Sequence, residues 1–155
     1  MTSCYANLKL IVPPAAAVSI SRGKPRYLKG GWIKHLAPGV VGRNYDALAP
    51  SYASLKATDE EYDRAFIAIL AQLDPQAVYD DLGENAVLLC HCKPDVWCHR
   101  RVVAEWFEYH LGVCVPELGQ RRDETFVMSG KRYPHYVTPK KKLAWIEQQL
   151  RKAAS

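Results

Sequence analysis

The sequence contains no long apolar stretch, no internal repeat and no segment of low complexity. No run approaches the roughly 20 apolar residues that a membrane-spanning helix needs, so no membrane span is expected. The first residues lack the basic-then-apolar pattern of a secretory signal, and we therefore expect a cytoplasmic protein. Because nothing divides the 155 residues, we expect a single domain over residues 1–155.

Acidic residues are outnumbered, since the chain has 16 Asp and Glu against 21 Lys and Arg, a net charge of +5. This balance favours an anionic partner, either a small molecule or a nucleic acid. The five cysteines are an odd number, which together with a cytoplasmic address argues against a disulfide framework. Reduced thiols, a metal site and a reactive cysteine remain as alternatives. Nothing in the sequence indicates the oligomeric state.

A strand, a loop and a helix are predicted over residues 86–112. Residues 86–90 form an unbroken apolar run that ends in Cys90, which predicts a strand buried on both faces. From Cys98 onward the apolar residues recur at helical spacing, and Gly112 suits the left-handed residue that ends a helix. The amino end of such a helix offers free amides and the positive end of its dipole, which attract anions and lower the pKa of a thiol.

The rest of the chain alternates short strand and helix patterns. Strands are predicted at residues 7–12, 18–21, 113–115 and 125–128. Helices are predicted at residues 32–36, 58–73, 74–82 and 138–153, and an irregular connection at 37–57. This alternation favours a single three-layer α/β domain with a central, mostly parallel sheet and helices on both faces, the helix at about 138–153 being packed on it.

Three cysteines and one histidine fall within the ten residues 90–99. Cys90 is either a small apolar core residue or part of the chemistry, and we predict that Cys98 contacts it across the loop. The candidate metal ligands are Cys90, Cys92, Cys98 and His99. Their spacing is unlike that of usual zinc ligands, so no metal is expected and a reactive thiolate at the helix start is favoured. In cysteine phosphatases, five loop residues separate the catalytic cysteine from an arginine that holds the phosphate. Here the five residues after Cys92 are followed by Cys98, which argues against a cysteine phosphatase.

The helix start also carries an acid–base candidate and two cations. His99 lies beside Cys98, so Cys98, His99 and Cys90 are the candidate catalytic residues. Arg100 is predicted to bind an anionic ligand. Since neighbours on a helix point about 100° apart, we expect Arg101 to turn away and to pair with Glu105 four residues later.

Residues 22–26 form a basic loop, in which Arg22, Lys24 and Arg26 are the further predicted ligand-binding residues. Glycine in this loop allows close approach of a ligand, and arginine makes bidentate contacts with phosphate. We predict that the loop meets the turn at 98–100, because a fold brings repelling cations together when an anion relieves their repulsion.

The residues Val87 to Cys90, followed by Cys98-His99-Arg100-Arg101-x-x-Ala104-Glu105-Trp106, resemble the signature of the domain-of-unknown-function family 488. That family comprises small uncharacterised proteins of bacteria and their phages. The resemblance covers roughly residues 5–118. It implies a three-layer α/β sandwich with the motif at the carboxyl end of a strand, and it implies no settled activity. Many relatives carry an acidic residue where this chain has Cys92.

The leading hypothesis is a protein that binds or processes a phosphate-bearing ligand, a nucleotide or a nucleic acid, without a cofactor. If it is an enzyme, a hydrolase or a transferase is expected. One alternative is a non-catalytic nucleic-acid or protein-binding module in which the Cys-His-Arg motif only caps a helix. A second alternative is a structural zinc or redox cysteine site.

Overall fold

Four strands form one parallel sheet in the computed structural model, which describes residues 1–23, 25–51, 59–93 and 98–118. The strands are β1 (Thr2–Cys4), β2 (Ala16–Ser19), β3 (Val41–Asn44) and β4 (Ala86–Cys90). Their order across the sheet is β1-β4-β2-β3, and all three pairings are parallel. The predicted α/β fold with a parallel sheet is confirmed. The single domain over all 155 residues stays a prediction, because the described residues end at 118.

The α-helices begin and end at residues suited to those positions. They are α1 (Asp59–Leu70), α2 (Pro75–Leu82) and α3 (His99–Leu111). Asp74 caps α2 by accepting hydrogen bonds from the backbone amides of Gln76 and Ala77, at 2.9 and 3.2 Å. Gly112 ends α3 in the left-handed conformation, with φ 65° and ψ 16°, as predicted. None of the helices among the described residues has the length and apolarity that crossing a membrane requires.

Alternate residues of the central strands face opposite sides of the sheet, and each side is covered. Val18 and Leu88 pack in one core with residues of all three α-helices. Ala17, Val87 and Leu89 pack in a second core with the 3₁₀ segments Tyr5–Leu10 and Trp32–His35. Among the described residues the α-helices therefore lie on one face and 3₁₀ segments on the other, which differs from the prediction of helices on both faces.

The strand predicted at residues 7–12 is wrong, because residues 7–10 belong to the 3₁₀ segment and residues 11 and 12 lie in no strand. Tyr5, Leu8 and Ile11 are buried, and their spacing of three matches one 3₁₀ turn, whereas a strand would bury alternate residues. The strand in this part of the chain is β1, an edge strand that is only three residues long and too polar to suggest a strand.

The strand predicted at residues 113–115 is also wrong. After α3 the chain returns to β1, where the amide of Thr2 donates to the carbonyl of Pro116 at 2.9 Å and the amide of Leu118 donates to the carbonyl of Thr2 at 2.8 Å. These bonds form an isolated parallel bridge between Thr2 and Glu117. The bridge fixes Glu117 beside the sheet, close to the start of α3.

The connection at residues 37–57 is partly regular, since it contains β3 and a third 3₁₀ segment, Asp46–Leu48. Gly42 lies in β3, where a Cβ atom would come within 2.8 Å of Leu36 and 3.1 Å of Trp32. This glycine therefore lets the strand pack closely while hiding its pattern in the sequence. The predicted helix cap at Thr58, the strand at 125–128 and the helix at 138–153 lie outside the described residues.

Candidate active site

Three cysteines lie at the carboxyl ends of the parallel strands. Cys90 ends β4, Cys4 ends β1 directly beside it, and Cys98 is the residue that precedes the first turn of α3. Open parallel α/β sheets bind their ligands at this edge. The position agrees with the one that the family resemblance implies.

Three cysteine sulfurs converge. The Sγ atoms of Cys90 and Cys98 lie 2.9 Å apart, and the Sγ of Cys92 lies within 4.8 Å of both. Cys90 and Cys98 are buried, whereas Cys92 is half-buried. The predicted contact between Cys90 and Cys98 is confirmed. The convergence also shows that the unusual spacing in the sequence does not keep the three thiols apart.

Arg100 joins two of these sulfurs. Its Nη1 donates to the Sγ of Cys90 at 2.9 Å and to the Sγ of Cys98 at 3.0 Å, and its Nη2 donates to the carbonyl of Lys93 at 3.2 Å. The side chain is fully buried. Arg100 therefore points at the site as predicted, but its guanidinium contacts protein sulfurs. Its predicted contact with a ligand stays a prediction.

The buried carboxylate of Glu117 holds both arginines. Arg100 donates to its Oε1 through Nε at 3.1 Å and through Nη2 at 2.8 Å, and the Nε of Arg101 contacts Oε2. The contacts with the sulfurs are made by Arg100, in line with the prediction that Arg100 faces the loop, and Arg101 contacts the carboxylate of Glu117, a partner that was not predicted. Its pairing with Glu105 stays a prediction.

Sequence reasoning missed Glu117, because it is 17 residues from Arg100 along the chain and reaches the site only through the bridge to β1. The one available signal was general. Two arginines directly before the apolar residues 102–104 of a predicted helix would need an anionic partner if the fold buried them, and the structure does bury both.

The three thiols have different acidities. Burial alone would raise the pKa of Cys98, but hydrogen bonds from Cys90 and Cys92 and the charge of Arg100 hold that pKa well below its ordinary value of 9.0. Burial raises the pKa of Cys90 well above 9.0. The pKa of Cys92 rises to about 12, because its hydrogen bond with Cys90, which lowers it, is outweighed by its hydrogen bond with Cys98 and by burial. Of the three thiols, Cys98 is therefore the one whose ionisation this site favours.

His99 follows Cys98 in the chain and contacts the residue that comes directly after β2. Its Nε2 is 2.9 Å from the carbonyl oxygen of Ile20, and its ring packs edge-on against Phe66 with the ring centroids 5.5 Å apart. Because a carbonyl oxygen only accepts hydrogen bonds, Nε2 carries a proton, and in the neutral ring Nδ1 is the basic nitrogen. Hydrogen bonding with His99 also helps to lower the pKa of Cys98. This arrangement suits an acid–base group.

The basic loop approaches the site through its backbone. The carbonyl oxygen of Gly23 lies 2.5 Å from Nε2 of His91, in the loop that follows β4. His91 lies outside the turn at 98–100, so the predicted meeting of residues 22–26 with that turn stays a prediction. Arg22 is exposed and its Nε donates to the carbonyl of Pro50 at 2.9 Å, and Arg26 is exposed. Lys24 lies outside the described residues, and the ligand-binding roles of all three cations stay predictions.

A cavity of about 380 Å³ lies at the opposite, amino edge of the sheet, away from the three thiols. Its lining includes Met1, Ala15 and Asn85, which precede strands β1, β2 and β4, and the exposed Cys114. Because it contacts none of the candidate catalytic residues, it is separate from the cysteine site.

The fold and the site define an α/β protein with a cluster of three cysteines at the carboxyl ends of the strands of a parallel sheet. The chain belongs to the family DUF488, and residues 9–111 match DUF488-N3a, described as the active DUF488-N3 subclade. Comparisons with curated proteins and with solved structures gave no match. The matched range contains Cys90, Cys98 and Arg100 and ends before Glu117.

Proposed function

We propose that this protein is a thiol-dependent enzyme in which the Cys98 thiolate is the nucleophile and a phosphate-bearing molecule, a nucleotide or a nucleic acid, is the substrate. One observation carries the proposal. The Sγ of Cys98 lies at the amino end of α3, 3.0 Å from the Nη1 of Arg100 and 2.9 Å from the Sγ of Cys90. The thiolate is the nucleophilic form of cysteine, and this site favours the ionisation of Cys98 by lowering the pKa of its thiol.

Arg100 and Glu117 have a supporting role in this proposal. Because Glu117 contacts the guanidinium through two of its nitrogens, the remaining Nη1 is held in one orientation, facing the two sulfurs. A fixed donor stabilises a charge without having to reorganise during a reaction. His99 is the proposed acid–base group, since its Nδ1 can take or return a proton while Nε2 stays on the Ile20 carbonyl.

The substrate class rests on charge and position. The chain carries a net charge of +5, and the exposed Arg22 and Arg26 lie on the loop whose Gly23 contacts the segment following β4. Amides at the start of a helix add further attraction for a phosphate group. The word "active" in the family description supports a catalytic domain over one in which the motif only caps a helix. We also propose a cytoplasmic location, which suits five free thiols.

Turnover of phosphate-bearing substrates tests this function. Nucleoside mono-, di- and triphosphates and short oligonucleotides are incubated with the reduced protein, and the products are separated by chromatography. We expect at least one substrate to be converted by the wild type and by Cys114→Ser, in which an exposed thiol away from the site is removed. Cys98→Ser is expected to lose that conversion. Equal conversion by Cys98→Ser, or no conversion of any substrate by the wild type, contradicts the proposal.

A second candidate function, a soft-metal site, is favoured by the convergence of three sulfurs within 4.8 Å of one another. Zinc binds thiolates at about 2.3 Å, so sulfurs that share one zinc ion lie roughly 4 Å apart. Metal analysis of the purified protein decides between the candidates. One zinc ion per chain that is lost in Cys92→Ser would favour the metal site, whereas metal-free protein with full conversion favours the enzyme.

A further inference from the structure

We propose that Cys90 and Cys98 form a reversible disulfide bond that switches the site off. The inference rests on the proposed function, because the bond removes the thiolate that acts as the nucleophile. The two sulfurs are already 2.9 Å apart, and a disulfide bond is about 2.05 Å long, so each needs to move by only about half an ångström. The sulfurs belong to the end of β4 and the start of α3, two elements that the loop joins directly.

Cys90 is the favoured partner among the nearby thiols. The Sγ of Cys92 also lies within 4.8 Å of Cys98, but the contact of 2.9 Å is made by Cys90. Cys114 is exposed and lines the cavity at the amino ends of the strands, away from Cys98. The proposed catalytic chemistry does not require Cys90 to react, so a redox role accounts for a thiol in contact with the nucleophile.

The oxidant in this proposal is a peroxide such as hydrogen peroxide. The Cys98 thiolate attacks one peroxide oxygen, the O–O bond breaks, and a sulfenic acid forms with release of hydroxide. The Cys90 sulfur then attacks the sulfenic sulfur, the S–O bond breaks, and the displaced oxygen leaves as water after taking up the Cys90 proton. Two thiol sulfurs lose two electrons in total and the peroxide gains them, leaving one water and one hydroxide. Two equivalents of a small thiol, or one dithiol, return the pair to the reduced state by exchange.

The reduced form is the stabilised one, which makes the bond reversible. In that form the Cys98 thiolate accepts a hydrogen bond from the Nη1 of Arg100, and the disulfide carries no charge for this donor to stabilise. Dithiol pairs with a stabilised thiolate form disulfides that are readily reduced. The switch is therefore expected to close under peroxide and to reopen with ordinary reducing thiols.

Peptide mapping of the full-length protein tests the inference. Wild type and Cys114→Ser are treated with hydrogen peroxide, quenched in acid, denatured with an alkylating agent and digested without reduction. The expected product is a cross-linked peptide pair joining Cys90 to Cys98, which disappears after dithiothreitol. In Cys90→Ala the expected product is a Cys98 sulfenic acid, trapped by dimedone. A cross-link from Cys98 to Cys92 overturns the inference. So does the finding that Cys90 and Cys98 remain reduced, and are therefore alkylated, at peroxide concentrations that oxidise other thiols.

Turnover measured on the same samples separates this inference from the proposed function. Loss of conversion together with the cross-link, and its return with dithiothreitol, is the expected result. A cross-link in a protein that keeps full conversion shows that Cys98 is not the nucleophile and overturns the switch together with the function. Conversion that requires Cys98 but is never accompanied by a cross-link overturns the switch alone. The wild-type map needs no variant, so a variant that fails to fold does not affect it.

Discussion

Replacing Arg100 by lysine isolates the contact that holds the thiolate. Lysine keeps the positive charge but lacks the planar fork with which arginine contacts Glu117 and the Cys98 sulfur at the same time. A hydrogen bond to a charged group contributes about 1.5–3 kcal/mol. Since one pKa unit corresponds to about 1.4 kcal/mol, loss of the N–H donor at 3.0 Å is expected to raise the pKa of Cys98 by about 1–2 units.

The pKa is followed by the ultraviolet absorbance of the thiolate during a pH titration. This measurement needs no reagent to reach the sulfur, which matters because Cys98 is buried. Arg43→Lys is the matched control, since Arg43 lies on the edge strand β3 and forms an exposed ion pair with Asp81 of α2. The control is expected to titrate like the wild type. An unchanged or lower midpoint in Arg100→Lys would refute the assignment of Arg100 as the residue that stabilises the thiolate.

Three further predictions concern stability and binding. Because the pKa of Cys98 is lowered on folding, the thiolate adds stability that is fully present above about pH 9 and is lost as the pH falls through the folded-state pKa. Urea unfolding at several pH values should show that the free energy of unfolding of the wild type falls with pH, and that the fall is smaller in Cys98→Ala. Glu117→Gln is expected to lower the free energy of unfolding by about 3 kcal/mol, because it leaves buried guanidinium groups without their carboxylate. Asp81→Asn, which breaks an exposed ion pair, is expected to lower it by less than about 1 kcal/mol. Equal effects of the two variants in urea unfolding would contradict this. If phosphate groups bind at the basic loop, Arg22→Ala with Arg26→Ala should weaken oligonucleotide binding in a gel-shift titration and reduce its salt dependence, and unchanged binding would exclude the loop.

The central elements were predictable because several local signals agreed. The apolar run at 86–90, the helical spacing after Cys98 and the cap at Gly112 each specified one structure, and Asp74 before a proline specified the start of α2. The contact between Cys90 and Cys98 followed from the same signals, because a strand and a helix joined by a short loop bring their adjoining ends together.

The parts that were missed depend on distant contacts. β1 and β3 are short edge strands without an alternating apolar pattern, so their pairing with β4 and β2 defines them. Glu117 reaches Arg100 because a segment after α3 bridges to Thr2, more than a hundred residues earlier. Such long-range pairing leaves no local pattern in the sequence.

The most direct test of the central claim is the difference in thiolate absorbance between the wild type and Cys98→Ser at neutral pH, measured on reduced, metal-free protein. We predict one thiolate per chain in the wild type that is absent from Cys98→Ser, with a titration midpoint well below the ordinary cysteine pKa of 9.0. A wild type without thiolate absorbance at neutral pH, or a Cys98→Ser variant that retains it, would contradict the assignment of Cys98 as the nucleophile.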